Sequence, residues 1–105
     1  MVKQQQNGKP TSPAMDYDYA HITTSDTGLV NETGAITLHV VTINDAGTNW
    51  IITVYDSGNE SQDIPENIVA VIPAVQGTFG YNASLVNGLR VTTAGTPGDA
   101  TIVFR

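Results

Sequence analysis

Two histidines and ten carboxylates are the side chains of this chain that could support catalysis or metal binding. His21 and His39 form neither a His-x-His pair nor a HExxH motif, and no cysteine is present to complete a zinc site. Each histidine stands in a run of alternating apolar and polar residues, which is typical of a β-strand. We interpret both as ordinary hydrogen-bonded strand histidines and expect no metal and no cofactor.

The aspartates stand mainly in turn-forming sequence, as at Asp45, Asp56, Asp63 and Asp99. Calcium prefers such carboxylates, but the chain has no Asp-x-Asp-x-Asp-Gly loop, and aspartates in turns ordinarily accept hydrogen bonds from nearby backbone. No Gly-x-Ser-x-Gly motif is present, and no pattern places a serine beside either histidine. The sequence therefore predicts that the protein is not an enzyme.

Four aromatic residues allow two interpretations: Trp50, Tyr55, Phe79 and Tyr81. They could form a platform on which a sugar ring stacks, or they could fill the core of a small domain. We favour the core, and the exposure of Trp50 distinguishes the two. An exposed Trp50 would support a carbohydrate-binding module, and a buried one would weaken it.

Charge is divided unevenly along the chain, whose formal net charge is -6. Residues 1–15 hold two lysines and no acid, a charge of +2, whereas residues 16–105 hold all ten acids and two arginines, a charge of -8. An acidic body repels phosphate, which argues against binding to nucleic acid. No apolar run is long enough to span a membrane and none follows Lys3, so we expect neither a membrane span nor a secretory signal.

The elements that position these residues are predicted to be short β-strands. Runs of β-forming residues are separated by turn signals roughly every eight to twelve residues. The runs cover residues 17–24, 29–32, 35–44, 48–56, 67–72, 76–82, 88–94 and 99–105, with a polar loop at 57–66 and a tight connection at 83–88. About eight such strands predict an all-β fold, a single antiparallel, jelly-roll-like β-sandwich over residues 16–105.

Alternation of side chains predicts which face of each strand is buried. The sets that share a face are Trp50, Ile52 and Val54; Leu89, Val91 and Thr93; and Ala100, Ile102 and Phe104. The apolar parity changes between Val40 and Val41, which predicts a β-bulge or a strand covered on both faces. Gly95–Asp99 predicts a hairpin turn between the last two strands, with Gly95 and Gly98 able to take positive φ.

Residues 1–15 are predicted to be an extended N-terminal arm outside the sandwich. The glutamine run is polar and aperiodic, and the prolines that follow favour extended backbone. A disordered terminus is the alternative interpretation. Our hypothesis is that the arm lies across a neighbouring subunit, with its lysines near the acidic body. Its partner-binding residues are then Lys3, Gln4, Gln5, Gln6, Lys9, Pro10 and Pro13.

Most of the chain from Tyr17 onwards resembles small β-sandwich structural proteins of tailed bacteriophages. The segments that carry this resemblance are Tyr19–Thr24, Gly34–Asn44, Ile52–Ser57, Gly77–Phe79, Tyr81–Asn82, Asn87–Leu89 and Asp99–Arg105. They are β segments rather than catalytic motifs. The arm has no counterpart in the pattern.

The resemblance implies a capsid decoration, or cement, protein that binds the phage head and stabilises it. Its implied partners are the major capsid protein and further copies of itself, as a homotrimer, with no nucleic acid and no membrane. Its implied location is the capsid exterior of the virion, after synthesis in the host cytoplasm. The alternatives are an accessory module of the tail, collar or fibre, and a carbohydrate-binding β-sandwich.

Overall fold

The computed structural model describes residues 17–105, which form eight β-strands in two four-stranded antiparallel sheets. The strands are β1 Asp18–Ile22, β2 Val30–Thr33, β3 Ile36–Asp45, β4 Thr48–Asp56, β5 Ile68–Ile72, β6 Gly77–Leu85, β7 Gly88–Thr96 and β8 Asp99–Phe104. The first sheet has the order β1-β8-β3-β6 and the second the order β2-β7-β4-β5. The predicted all-β sandwich of about eight strands is confirmed.

The strand order is that of a jelly roll. β1 pairs with β8, β2 with β7, β3 with β6 and β4 with β5, all antiparallel. These four pairs are the successive steps of one long hairpin whose closed end is the β4–β5 connection. Rolling that hairpin up adds the contacts of β3 with β8 and of β4 with β7, which complete the two sheets.

One consecutive pair of strands, β4 and β5, lies side by side in these residues, and its connection contains two short 3₁₀ turns, Glu60–Gln62 and Pro65–Asn67. Every other connection crosses from one sheet to the other. The hairpin predicted at Gly95–Asp99 is therefore wrong, because β7 and β8 belong to different sheets. The turn signal was real, but turn chemistry sets local dihedral angles and does not decide which sheet the next strand joins.

The glycines of that crossover explain its shape. Gly95 has a φ of 105°, as predicted, but Gly98 is not among the residues with positive φ. A Cβ atom on Gly98 would collide with the carbonyl oxygen of Asp45, and one on Gly47 would collide with that of Thr96. The crossovers from β3 to β4 and from β7 to β8 thus lie against each other, and the close approach requires glycine in both.

The core lies between the two sheets and contains the predicted faces of β4, β7 and β8. Trp50 is only 1% exposed at its centre. In β3 the register shifts between Leu38 and Val40, so Leu38 and Val41 both point inward; the predicted bulge is confirmed. The predicted connection at residues 83–88 is shorter than expected, because β6 continues to Leu85.

Candidate interaction surfaces

The sandwich presents two broad outward faces to its surroundings. We call the outer side of the first sheet the hydrogen-bonded face; its central rows contain Tyr19, His21, His39, Val40, Thr42, Thr78, Asn82, Thr101 and Val103. We call the outer side of the second sheet the apolar face; it contains Ile51, Thr53, Tyr55, Ile68, Val71, Thr92 and Ala94. No cluster of three or more His, Cys, Asp or Glu suited to a metal occurs within residues 17–105.

A histidine–carboxylate pair stands at one end of the hydrogen-bonded face. His21 Nε2 lies 2.8 Å from Asp99 Oδ1, and the Asn44 amide donates to the same oxygen at 3.1 Å. The hydrogen bonds from Asn44 and then from His21 lower the pKa of Asp99 below its usual 3.8. Alternation within single strands could not reveal this pair, since the two residues meet only through the β1–β8 register.

This pair lies in the open on the surface of the sheet. The His21 and Asp99 side chains are 53% and 38% exposed on the surface of a sheet. Among the described residues, no serine or threonine hydroxyl is hydrogen-bonded to His21. The arrangement is a surface ion pair when His21 is protonated, and a hydrogen-bonded pair otherwise.

An aromatic cluster holds the residue at which the chain enters the sandwich. The ring of Tyr17 stacks on that of His39 with centroids 4.7 Å apart, and the Arg105 guanidinium lies 5.1 Å from the Tyr17 ring centre. His39 Nδ1 is 2.7 Å from the Asn82 Oδ1. Asn82 has a φ of 48°, in the left-handed region that asparagine tolerates better than most residues. Tyr17, the first described residue, is thus fixed against the hydrogen-bonded face.

Among the described residues, the strand rows of the apolar face carry exposed aliphatic side chains and no carboxylate. Val71 is 54% exposed, Ile51 44% and Ile68 39%. The register places Thr53 between Val71 and Thr92, so these side chains share one continuous surface. Sequence reasoning missed this face, although a signal existed: Ile51 beside Ile52, and Val71 beside Ile72, put apolar residues on both sides of β4 and β5.

In the part of the chain that the structure describes, one cation, Arg90, lies at the end of the apolar face, where it is buried and neutralised. Arg90 is 7% exposed, and its Nε donates to both carboxylate oxygens of Asp63, at 3.1 and 2.9 Å. A Cβ atom on Gly28 would lie 2.7 Å from the guanidinium, so a larger residue there would force the end of the Arg90 side chain to shift. This ion pair joins the β4–β5 connection to β7 and removes a free charge from the face.

Other predictions for individual residues have clear outcomes. The favoured interpretation of Trp50 as a core residue is confirmed, since this side chain is buried, and its burial weakens the alternative of a sugar-stacking platform. The expectation that turn aspartates bond nearby backbone holds for Asp45, which accepts from Gly47 N. Asp56 accepts instead from the distant amides of Val86 and Asn87, and Asp63 and Asp99 bond to side chains. The predicted arm residues Lys3, Gln4, Gln5, Gln6, Lys9, Pro10 and Pro13 lie outside the described residues.

Comparison with known proteins adds no family to this picture. No protein-family model matches the chain, and no curated protein matches its sequence. Within residues 17–105 there is also no helix with the length and apolarity that a membrane span requires.

Proposed function

We propose that the protein is a bacteriophage virion structural protein, and specifically a capsid decoration protein that binds the head surface and stabilises it. The observation that carries this proposal is the jelly-roll strand order, an architecture typical of viral capsid and lectin domains and of cupins. The buried Trp50 disfavours the lectin interpretation. Two broad sheet surfaces suit contacts with other proteins better than they suit a small substrate.

The charge distribution supports different roles for residues 1–15 and residues 16–105. The basic arm of residues 1–15 and the acidic remainder of the chain attract each other. Fully extended, fifteen residues span at most about 50 Å, and the sandwich itself is 39 Å long. The arm can therefore reach a neighbouring copy on a lattice, and Tyr17, held by His39 and Arg105, fixes the point from which it departs.

The proposed mechanism is mechanical. Each copy contacts the major capsid protein and neighbouring copies, as the homotrimer that the resemblance implies. Individual contacts can be weak because an arm that bridges two copies makes the second contact intramolecular. The effective concentration of the second binding site is then roughly millimolar. Attachment to the capsid exterior is then cooperative, and no catalytic step is involved.

A binding experiment tests this proposal. Full-length protein, a variant that lacks residues 1–15, and Lys3→Gln/Lys9→Gln are each titrated onto undecorated phage heads, and the bound copies are counted. We expect full-length protein to saturate at a number that matches the lattice, the deletion to bind at least tenfold more weakly, and the charge variant to lie between them. Failure of full-length protein to bind heads would contradict the proposal and direct the same assay to isolated tails, collars and fibres.

A further inference from the structure

The connection from β6 to β7 contains a dipeptide with covalent chemistry of its own, Asn87–Gly88. Asparagine is among the chemically labile residues, because the backbone nitrogen of the next residue can attack its side-chain carbonyl carbon and close a five-membered ring. Glycine has no side chain to hinder that approach. Within residues 17–105, every other asparagine precedes a larger residue. Asn87 is also exposed to water, which the second step of the reaction consumes.

This reaction needs no reagent other than water. The Gly88 nitrogen forms a bond to Asn87 Cγ and gives up its proton, while the side-chain amino group takes up a proton and leaves as ammonia. Water then opens the resulting succinimide ring on either side, to aspartate or to isoaspartate. Isoaspartate adds a methylene group to the main chain, and both products place a second negative charge near Asp56, whose Oδ1 lies 2.7 Å from Asn87 N.

Asp56, at the end of β4, accepts hydrogen bonds from three successive backbone amides of this turn. Its Oδ1 lies 3.1 Å from Val86 N, 2.7 Å from Asn87 N and 3.4 Å from Gly88 N. Hydrogen bonds to a carboxylate are stronger than those between neutral groups. The attacking nitrogen would have to give up its bond to Asp56 and become negative beside a carboxylate, which disfavours a second negative charge. Asp56 therefore opposes the first step of the reaction.

The main chain around Gly88 fixes the same nitrogen. Gly34 N donates to the Asn87 carbonyl at 3.0 Å. Ser57 N donates to the Gly88 carbonyl at 3.1 Å. Gly88 is buried against the main chain of β2 and of the residue after β4, where a Cβ atom would collide with the carbonyl oxygens of Glu32 and Ser57. The Gly88 nitrogen can therefore turn towards the Asn87 side chain only after these contacts break.

We propose that Asn87–Gly88 is a deamidation site that Asp56 keeps unreactive in the folded protein, so that conversion follows a local opening of this turn. Such an opening also breaks the pairing of Gly88 with Thr33, at the end of the four-residue edge strand β2. Because the released ammonia is lost to solvent, the modification makes the opening irreversible. The inference does not depend on the virion proposal.

The test is the rate at which Asn87 is converted in the full chain, followed by peptide mass spectrometry and by enzymatic methylation of isoaspartate. In mildly alkaline buffer, Asn87 of the folded wild type should convert at least about tenfold more slowly than in guanidinium chloride. Asn7–Gly8, the other Asn-Gly of the chain, is the reference in the unfolded sample, where both should convert at the same rate. Asp56→Ala should raise the rate in the folded protein at least about fivefold, because it removes the acceptor and the charge together.

Control variants separate this turn from the stability of the whole fold. Asp45→Ala makes the same substitution at an aspartate that bonds a different turn, through Gly47 N at 3.0 Å, and should leave the Asn87 rate unchanged. Ile102→Val removes a buried methylene from β8, in the other sheet, and should lower the melting temperature without opening the turn. Asp56→Ser keeps a hydrogen-bonding oxygen without the charge, and should also raise the rate if the alanine variant does not fold.

Two outcomes overturn the proposal. Equal Asn87 rates in the folded and the unfolded wild type would mean that the turn gives no protection. Equal acceleration by Ile102→Val and by the Asp56 variants, compared at the same loss of melting temperature, would assign the reaction to global unfolding rather than to the turn that Asp56 holds.

Discussion

The two outward faces of this sandwich share an architecture but differ in how their side chains are satisfied. On the hydrogen-bonded face, side chains of neighbouring strands bond to each other: His21 with Asp99, Thr42 with Thr78, and His39 with Asn82. No side-chain hydrogen bond joins the rows of the apolar face in the described part of the chain. The polar rows of the first face already have partners, whereas the exposed aliphatic side chains of the second face gain from being covered.

The size of that gain explains why the difference matters. Covering apolar surface is favourable by about 25 cal/mol per Å². Tyr19, Val40 and Val103 show that the hydrogen-bonded face also has an apolar row, but hydrogen-bonded rows flank it on both sides. On the apolar face Thr53 and Thr92 lie among the aliphatic side chains, but among the described residues no side-chain hydrogen bond joins its rows, so a partner can cover them without breaking existing bonds.

The largest expected effect comes from replacing Arg90, whose charge is buried at the end of the apolar face. Arg90→Ala should lower the free energy of unfolding by about 3 kcal/mol, since it leaves Asp63 buried without its partner. Urea denaturation measures this directly. Both side chains are about one-tenth exposed, so solvent screens the interaction little.

A double-mutant cycle supplies the control for Arg90. Arg90→Ala/Asp63→Ala should lose less than the sum of the two single variants, because the double variant has no unpaired buried charge. Strictly additive losses would mean that the ion pair contributes nothing specific, and the neutrality of the apolar face would need another explanation.

Comparison with the sequence shows which features alternation can reveal. Ala100, Ile102 and Phe104 were predicted to share a buried face and do so, because parity along a strand is a local property. The bulge was visible too, since Val40 and Val41 break the parity. Pairing between strands was not visible, because it depends on which sheet each crossover enters.

The candidate surfaces also divide into features that local alternation reveals and features that only strand pairing creates. His39 and Asn82 are 43 residues apart and meet only through the β3–β6 pairing, so no local pattern contains their contact. The apolar face, in contrast, was readable from adjacent apolar pairs such as Ile51 and Ile52, once β4 was known to have one face in the core. The predicted arm residues remain a hypothesis, because they lie outside the described residues.

The next effect tests whether the bonds of the hydrogen-bonded face stabilise the fold. His39→Ala removes both the stack on Tyr17 and the hydrogen bond to Asn82, and should cost about 1 kcal/mol in thermal or urea unfolding. Thr42→Val, which removes one exposed hydroxyl contact to Thr78, is the milder comparison. Equal stability of the His39 variant and the wild type would contradict the contrast between the faces.

A smaller effect is expected where the apolar face is made polar. Ile51→Thr/Val71→Thr should change the stability of the monomer by no more than about 0.5 kcal/mol per site, because both side chains already contact water there. Solubility in ammonium sulfate should rise. Ile52→Thr, one residue away but in the core, should instead cost about 2 kcal/mol or more, since it buries a hydroxyl. Similar losses at positions 51 and 52 would show that the apolar face is already covered within the monomer.

The smallest effect is a pH dependence located at Asp99. Its pKa is lowered in the folded protein, first by the Asn44 hydrogen bond and then by His21. A carboxyl with a lowered pKa adds stability above its unfolded value of 3.8, and loses it as the pH falls through the folded pKa. The difference in melting temperature between wild type and Asp99→Asn should therefore be constant near pH 5 and change below pH 3.8. Asn44→Ala should move the carbon-13 titration of the Asp99 carboxyl upwards, towards 3.8, whereas Thr42→Ala should leave it in place. An unchanged titration in Asn44→Ala would mean that the contacts at this end of the hydrogen-bonded face do not hold in solution, and the contrast with the apolar face would then rest on its remaining rows.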